Sequence, residues 1–408
     1  MSAARKMRKE APASISSGVR SRTMIVIKTV LFDLDNTLLR NPTPEFVAGY
    51  VSRINRFFKR RWNIEPGEHL REGVQIMAGP RNIWQTNLEI YWMLLHRILP
   101  LTAKGLSEAF TEFYETEYKE LRANTSPVPA AETVIDRVRS AGYKIVIATN
   151  PVYPEEAIRQ RLTWAGLPGD FTYYDFVTTA DNMHFTKPSP AYYGEILARC
   201  GLEPDEAVMV GDEPVYDIQA AGIVGLHTRH LNWETLGQFL DDLPCLPEWM
   251  PPAITSQSIV PQWLGNLGSI FGVVADMPPR FWDQHPFPDE WSPAEILCHL
   301  TEYERSIHRP RLERIAVEPD PFVTQPNDPP PPSDYPLFRS AHALLPYVFL
   351  KERQNTIDFI ESVTPATWDR TARHSIFGPT TFLEMAYFTA QHDRLHIRQL
   401  CQTIGGCE

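Results

Sequence analysis

Residues 29–39 read TVLFDLDNTLL, an apolar strand that ends in two acids one residue apart. Asp33 and Asp35, at i and i+2, point to the same side of that strand. Buried strands avoid carboxylates, and like charges this close push their pKa values apart. A bound cation or a phosphoryl-transfer site would offset that cost. Outward from this stretch, about residues 24–242 alternate strands with helices. KIVIATN (144–150) follows the helical AAETVIDRVRSAG, AVMVGDE (207–213) is a third strand and GIVGLHT (222–228) a short fourth. Near-continuous apolar strands alternating with helices predict a Rossmann-like parallel sheet covered on both faces. Between the first two strands lies a helical insert, about residues 42–124, rich in Trp, Tyr, Phe and Arg. It is far longer than a crossover requires, so it should form a helical cap over the strand ends.

The predicted strands end in polar residues: Asp33, Asp35 and Thr37 in DLDNT, Thr149 and Asn150 in IATN, Asp212 and Asp217 in VGDEPVYD. Ligands of parallel α/β sheets bind beyond the carboxyl ends of the strands, so these residues should converge. The loop FTKPSP adds Lys187. A carboxylate can attack phosphorus to give an aspartyl-phosphate, a role assigned to Asp33. A second acid, Asp35, can protonate the leaving alcohol and then deprotonate water. Thr149 and Lys187 can hold the phosphoryl oxygens. The metal set is Asp33, Asp35, Asp212 and Asp217, with Asp33 and Asp212 as direct Mg²⁺ ligands and Asp217 in the outer shell.

Four such motifs in this order resemble the haloacid dehalogenase superfamily over about residues 24–242, and the insert looks like that superfamily's first class of helical cap. Dehalogenase members lack the second acid of the first motif, since a halide leaves without a proton. Asp35 is present, so the resemblance implies a Mg²⁺-dependent phosphatase acting on a small phosphorylated metabolite. A phosphomutase would keep the same acids, and a decayed site is the bland alternative. Arg81 and the aromatics of RNIWQTNLEIYWMLL either read the substrate or fill the cap core.

The chain has 408 residues, a net charge of −11 and 43% hydrophobic residues, enough for two ordinary domains and acidic enough to argue against nucleic-acid binding. No apolar run is long enough for a membrane span. The five cysteines, Cys200, Cys245, Cys298, Cys401 and Cys407, show no paired spacing and read as reduced thiols of a cytosolic protein. Residues 1–23 are basic and Ser/Ala-rich, a disordered tail rather than a secretory signal, and a start at Met24 is an alternative. The proline-rich stretch LPCLPEWMPPAITSQSIVPQW reads as a linker, placed at 243–261, between largely independent parts.

From 262 to 408 the pattern predicts helices only, an all-α four-helix bundle. The helices are expected at about 262–276, from a capping box of Ser292 and Glu295 with Pro293 at the first position, at about 339–363, and from near Thr381 and Glu384; residues 327–336 form a long loop. QHDRLH puts His392 and His396 on one face of the last helix, and His299 lies on the apolar face of the second. Three imidazoles in a bundle interior are costly without a metal, and with an open position they suit Zn²⁺, Ni²⁺ or Fe²⁺. His308, His342 and His374 lack the paired spacing and read as surface or structural. Glu302, Asp393 and Arg398 are outer-shell candidates. WSPAEILCHLTEYER and AYFTAQHDRLHIRQL resemble the metal helices of the DinB-like superfamily, over about residues 258–403. That resemblance implies the His299/His392/His396 site and, for some relatives, a low-molecular-weight thiol as cosubstrate. The rival reading makes the bundle a non-catalytic binding or homodimerisation module, with LFRSAHALLPYVFLKERQ as its apolar surface.

Overall fold

The computed structural model describes residues 27–275, 277–287, 290–324 and 330–407. The basic tail, the alternative start at Met24 and part of the loop at 327–336 lie outside the described residues.

The quoted strand becomes β1 (Thr29–Phe32), buried along its whole length at the centre of a five-stranded sheet. β2 (Lys144–Ile147) and β4 (Ala207–Gly211) flank it in parallel, with β3 (Phe176–Val177) and β5 (His227–His230) at the edges. The order is therefore β3-β2-β1-β4-β5. β3 is only two residues long and left no sequence signal. The last strand starts later than expected, because a short helix, Ala220–Ile223, takes the first part of GIVGLHT.

The insert forms α1 (Thr43–Trp62), α2 (Gly67–Ala78), α3 (Asn87–Leu95) and α4 (Ala103–Glu115). Its two stems, Leu39–Arg40 and Ser126–Pro127, pair antiparallel, so the cap enters and leaves the sheet at one place. Its aromatics pack edge to face: Phe57 against Phe113, Trp92 against Phe110, Tyr50 against Phe113. Arg81 bonds Asn87 and the Gln85 carbonyl, and so holds the turn into α3. α5 (Ala131–Ser140), α6 (Glu155–Trp164) and α7 (Pro190–Cys200) complete the α/β part.

The carboxy-terminal part holds α8 (Ser256–Ala275), α9 (Pro293–Tyr303), α10 (Arg309–Val317), α11 (Leu345–Ser362) and α12 (Phe382–Cys407). Both capping boxes form. Ser292 Oγ accepts from the Glu295 amide at 3.3 Å while the Glu295 carboxylate accepts from the Ser292 amide at 2.9 Å. Thr381 and Glu384 do the same at 3.1 and 2.9 Å. Helices are not the whole of this part. Thr371–His374 and Gly378–Thr381 form a hairpin that Phe322–Val323 joins in parallel. Four-residue strands give too little alternation to read, and the turn depends on Gly378 at φ +73°.

The proline-rich stretch is not a free spacer. Leu243–Glu248 is a 3₁₀ helix, and α8 begins at Ser256, before the expected 262. α8 then lies along α7 so closely that a Cβ on Gly265 would fall inside the Gly194 backbone. Arg394 of α12 donates to Glu203 through Nε at 3.1 Å and Nη2 at 2.5 Å, and Tyr387 and Gln391 donate to the same carboxylate at 3.0 and 3.2 Å. Arg398 donates to the Gly201 carbonyl at 2.6 Å. The two parts are therefore tightly joined, contrary to the independence the prolines suggested. The five cysteines carry free thiols. Among the described residues no helix is long and apolar enough to cross a membrane.

Glycine to alanine usually favours a helix. At this crossing the sign should reverse: Gly265→Ala should cost about 1–3 kcal/mol in urea unfolding. Gly405→Ala, where a Cβ meets nothing within 4 Å, should be neutral or stabilising.

Candidate functional site

Asp33 follows β1 directly, its amide donating to the Val210 carbonyl at 2.9 Å. The chain then turns through Asn36, left-handed at φ +57°, a conformation asparagine tolerates better than most residues. The Lys187 ammonium donates to Asp33 Oδ1 at 2.7 Å and to Asp217 Oδ1 at 2.5 Å. Its own amide donates to Asn150 Oδ1 at 3.2 Å, which fixes the loop after β2 against the loop before α7. Asp212 follows β4, and the Thr37 hydroxyl donates to it at 3.4 Å. Asp217 sits on a π-helical turn, Pro214–Gln219, and crosses back so close to Gly211 that no side chain fits there. Thr149 is buried, and its carbonyl accepts from Thr178 at 2.7 Å and Tyr192 at 2.9 Å. Asp33, Asp35, Thr149, Asn150, Lys187, Asp212 and Asp217 line one cavity of about 670 Å³ between the sheet and the cap, while Thr37 is buried behind Asp212.

The donor atoms of Asp33, Asp212 and Asp217 lie within 4.8 Å of one another. Asp35 is turned elsewhere: Asn41 Nδ2 donates to it at 3.0 Å and the buried Arg161 guanidinium pairs with it. Burial lifts Asp33 to about 6; Lys187 opposes the rise and Asp217 adds to it. Burial, then Asp33 and Asp217, lift Asp212 to about 7. Burial works to lower Lys187, but Asp217 and Asp33 hold it well above its ordinary value. Three carboxylates thus share one ammonium. An all-oxygen set with this excess of negative charge fits a hard divalent cation such as Mg²⁺.

In the bundle, ring nitrogens of His299, His392 and His396 also lie within 4.8 Å of one another. The Nε2 atoms of His299 and His392 are 3.3 Å apart. Two nitrogens each about 2.0–2.1 Å from a tetrahedral ion would stand about 3.4 Å apart, so the spacing fits a metal. The Nδ1 atoms of His392 and His396 are engaged. His396 Nδ1 meets Gln399 Oε1 at 2.9 Å and His392 Nδ1 meets His308 Nε2 at 3.3 Å. Gln399 Oε1 is an acceptor, so His396 Nδ1 donates to it and its Nε2 is left free for a metal. Burial lowers His299 to about 2, with His396 adding to the effect. Burial likewise puts His392 and His308 well below their ordinary values, and the ligating form of histidine is the neutral one.

His308, expected at the surface or in a structural role, is buried at this site. A regular helix would put it about 180° from His299, nine residues away. The π turn Glu304–His308 takes up one residue and brings it round. Arg161 was also missed: the sequence RQRLTW carries no mark that its second arginine is buried. Of the outer candidates, Asp393 accepts from Arg353 at 2.7 and 3.0 Å, while Glu302 pairs with Arg305 and Arg398 with Gly201. His374 is structural: its Nδ1 accepts from the amides of Ile376 and Phe377.

Residues 27–225 match the family described as haloacid dehalogenase-like hydrolase, and residues 267–400 match the DinB superfamily. Pyrophosphatase PpaX of Bacillus velezensis is 27% identical over 215 residues, covering 52% of this chain and 86% of its own. PpaX of Bacillus cereus strain G9842 is 28% identical over 217 residues with the same coverage. Among solved structures, the HAD phosphatase from Thermococcus onnurineus aligns at 25% identity, 50% of this chain, 86% of its own and a TM-score of 0.33. YfiT of Bacillus subtilis, with its four-helix bundle topology, aligns at 15% identity, 38% of this chain, 91% of its own and a TM-score of 0.32.

Proposed function

We infer that this chain, which joins a haloacid dehalogenase-like hydrolase to a DinB-superfamily bundle, is a Mg²⁺-dependent phosphatase of a small phosphomonoester that also carries a transition-metal site. The hydrolase is assigned residues 24–242, the connecting stretch 243–261 and the bundle 262–408. The observation that carries the reading is the Lys187 ammonium held between Asp33 and Asp217 in the cavity that Asp35 also lines.

An Asp33 carboxylate oxygen attacks phosphorus while the bond from phosphorus to the leaving alcohol breaks. Asp35 gives that alcohol oxygen its proton. Asp35 then takes a proton from water as the water oxygen attacks phosphorus, which releases inorganic phosphate and restores Asp33. Arg161 and Asn41 hold the Asp35 carboxyl in place between the two steps. Lys187 and the Thr149 hydroxyl bind the phosphoryl oxygens. Asp33, Asp212 and Asp217 would hold Mg²⁺, which when bound supplies positive charge among the carboxylates and the phosphoryl oxygens.

In the bundle, His299, His392 and His396 would hold Zn²⁺, Ni²⁺ or Fe²⁺, with the open side available to water or a low-molecular-weight thiol. The rival reading, a metal-free dimerisation module, draws on Leu344 and Tyr347, which are exposed on the apolar stretch before and within α11.

Asp33→Asn should lower phosphate release from small phosphomonoesters by about 1,000-fold or more, close to 4 kcal/mol in the barrier. Removing Mg²⁺ should have the same effect. An isomerised phosphate ester in place of free phosphate would instead reveal a mutase. His392→Ala should abolish stoichiometric metal in the purified protein, read by elemental analysis. His308→Ala should weaken it about 10- to 100-fold in chelator competition. A wild-type chain free of metal, dimeric by gel filtration, would support the rival.

A further inference from the structure

The cavity has two chemically different ends. At the sheet end, five acidic side chains, Asp33, Asp35, Asp212, Glu213 and Asp217, line the wall. Among the described residues, the lining cations are Lys187, Arg161 and Arg71. Each already faces a carboxylate: Lys187 faces Asp33 and Asp217, Arg161 faces Asp35, and Arg71, on the cap, faces Glu68. The phosphoryl group being transferred is served by Lys187 and the acidic set. The two buried cations, Lys187 and Arg161, are both taken up by the acidic set, so a second anionic group would have to draw Arg71 out of its exposed pair with Glu68.

The cap end is apolar. Val47 and Val51 on α1 and Leu70 and Val74 on α2 face the cavity, and Val47 and Val74 are each more than a third exposed at its rim. Two of the phenols that line it, Tyr50 and Tyr91, use their hydroxyls within the protein. Tyr50 shares its hydroxyl with Tyr114 at 3.0 Å, and Tyr91 donates to the Val152 carbonyl at 3.1 Å. Gln75 is the uncharged polar group among the α2 residues at the rim. A charged leaving group against these valines and leucine would lose water, with the exposed Arg71 as the one cation near it among the described lining residues, whereas an apolar one gains by leaving water.

We propose that the leaving group of the natural substrate is a neutral alcohol with an aryl or branched alkyl body, so that the cap end selects organic phosphomonoesters and rejects pyrophosphate and carboxylate-bearing esters. This rests on the phosphatase reading above and narrows it: the PpaX relatives are named pyrophosphatases, whereas the cap end of this cavity is lined by valines and leucine.

The test uses the full chain with Mg²⁺ and compares kcat/KM for benzyl phosphate, 2-phosphoglycolate and pyrophosphate, each against the Asp33→Asn variant. Benzyl phosphate and phosphoglycolate are both esters of primary alcohols, so their comparison reports recognition more than leaving-group reactivity. Benzyl phosphate is expected to lead both anionic substrates by at least about 50-fold. Val74→Lys, on the rim, should narrow the gap to pyrophosphate by about 5-fold or more, chiefly through KM. Pyrophosphate or phosphoglycolate turned over as well as benzyl phosphate, and lost with Asp33→Asn, would overturn the neutral leaving group and leave the phosphatase standing. Wild-type release no higher than that of Asp33→Asn with every substrate would overturn both.

Discussion

Lys187 stands between Asp33 and Asp217, and the geometry of the strand ends follows from that placement. Three carboxylates cannot share a buried space without positive charge among them. The ammonium offsets part of the repulsion and ties the loop after β1 to the turn after β4. Asn150 fixes the lysine's backbone and so brings in the loop after β2. The polar ends of β1, β2 and β4 are thus tied together by the side chains of Lys187 and Asn150. The remaining negative charge, which with burial raises Asp33 and Asp212, suits the place to a cation.

α12 serves three neighbours because side chains advance about 100° per residue around a helix. His392 and His396 lie about 40° apart and face the imidazole cluster. Asp393, one step round, accepts both bonds from Arg353, which in turn donates to Glu304 at 3.0 and 2.9 Å. Arg394, about 200° from His392, reaches across to Glu203. A buried arginine between two carboxylates is well satisfied, but losing one partner would leave charge uncompensated. The imidazole-facing and joint-facing sides of this helix are therefore both flanked by charged contacts.

The parts that were legible in the sequence are those where chemistry and local pattern coincide. DLDNT, IATN and VGDEPVYD each end an apolar run, so strand, site and residue type were readable together. Ser292 with Glu295 and Thr381 with Glu384 marked helix starts through a spacing that is local by nature. What escaped was geometry that breaks the regular period. His308 was misplaced because a π turn adds a residue, and the hairpin at 371–381 was missed because its strands are four residues long. Arg161 carried no mark at all, since its burial comes from the cap and the sheet meeting over it. The joint between the parts did leave a trace: Gly265, Gly268 and Gly272 repeat along one side of α8, which signals a close helix crossing that the surrounding prolines obscured.

That crossing changes the standing of α7. In an α/β fold a helix usually turns one face to water, yet Ala191 to Ala198 are all buried, with the sheet beneath and α8 above. Its one buried acid, Glu195, would be raised by burial alone; His184 at 2.7 Å and then Arg199 hold it below its ordinary value. The helix begins three residues after Lys187 and ends beside the loop of Gly201 and Glu203, where α12 is anchored. The bundle therefore packs directly on the element that sets the position of the lysine. Close-packed interiors transmit displacement rather than absorb it. Any shift of α8 against Gly194 must move α7, and with it the ammonium that holds Asp33 and Asp217 together.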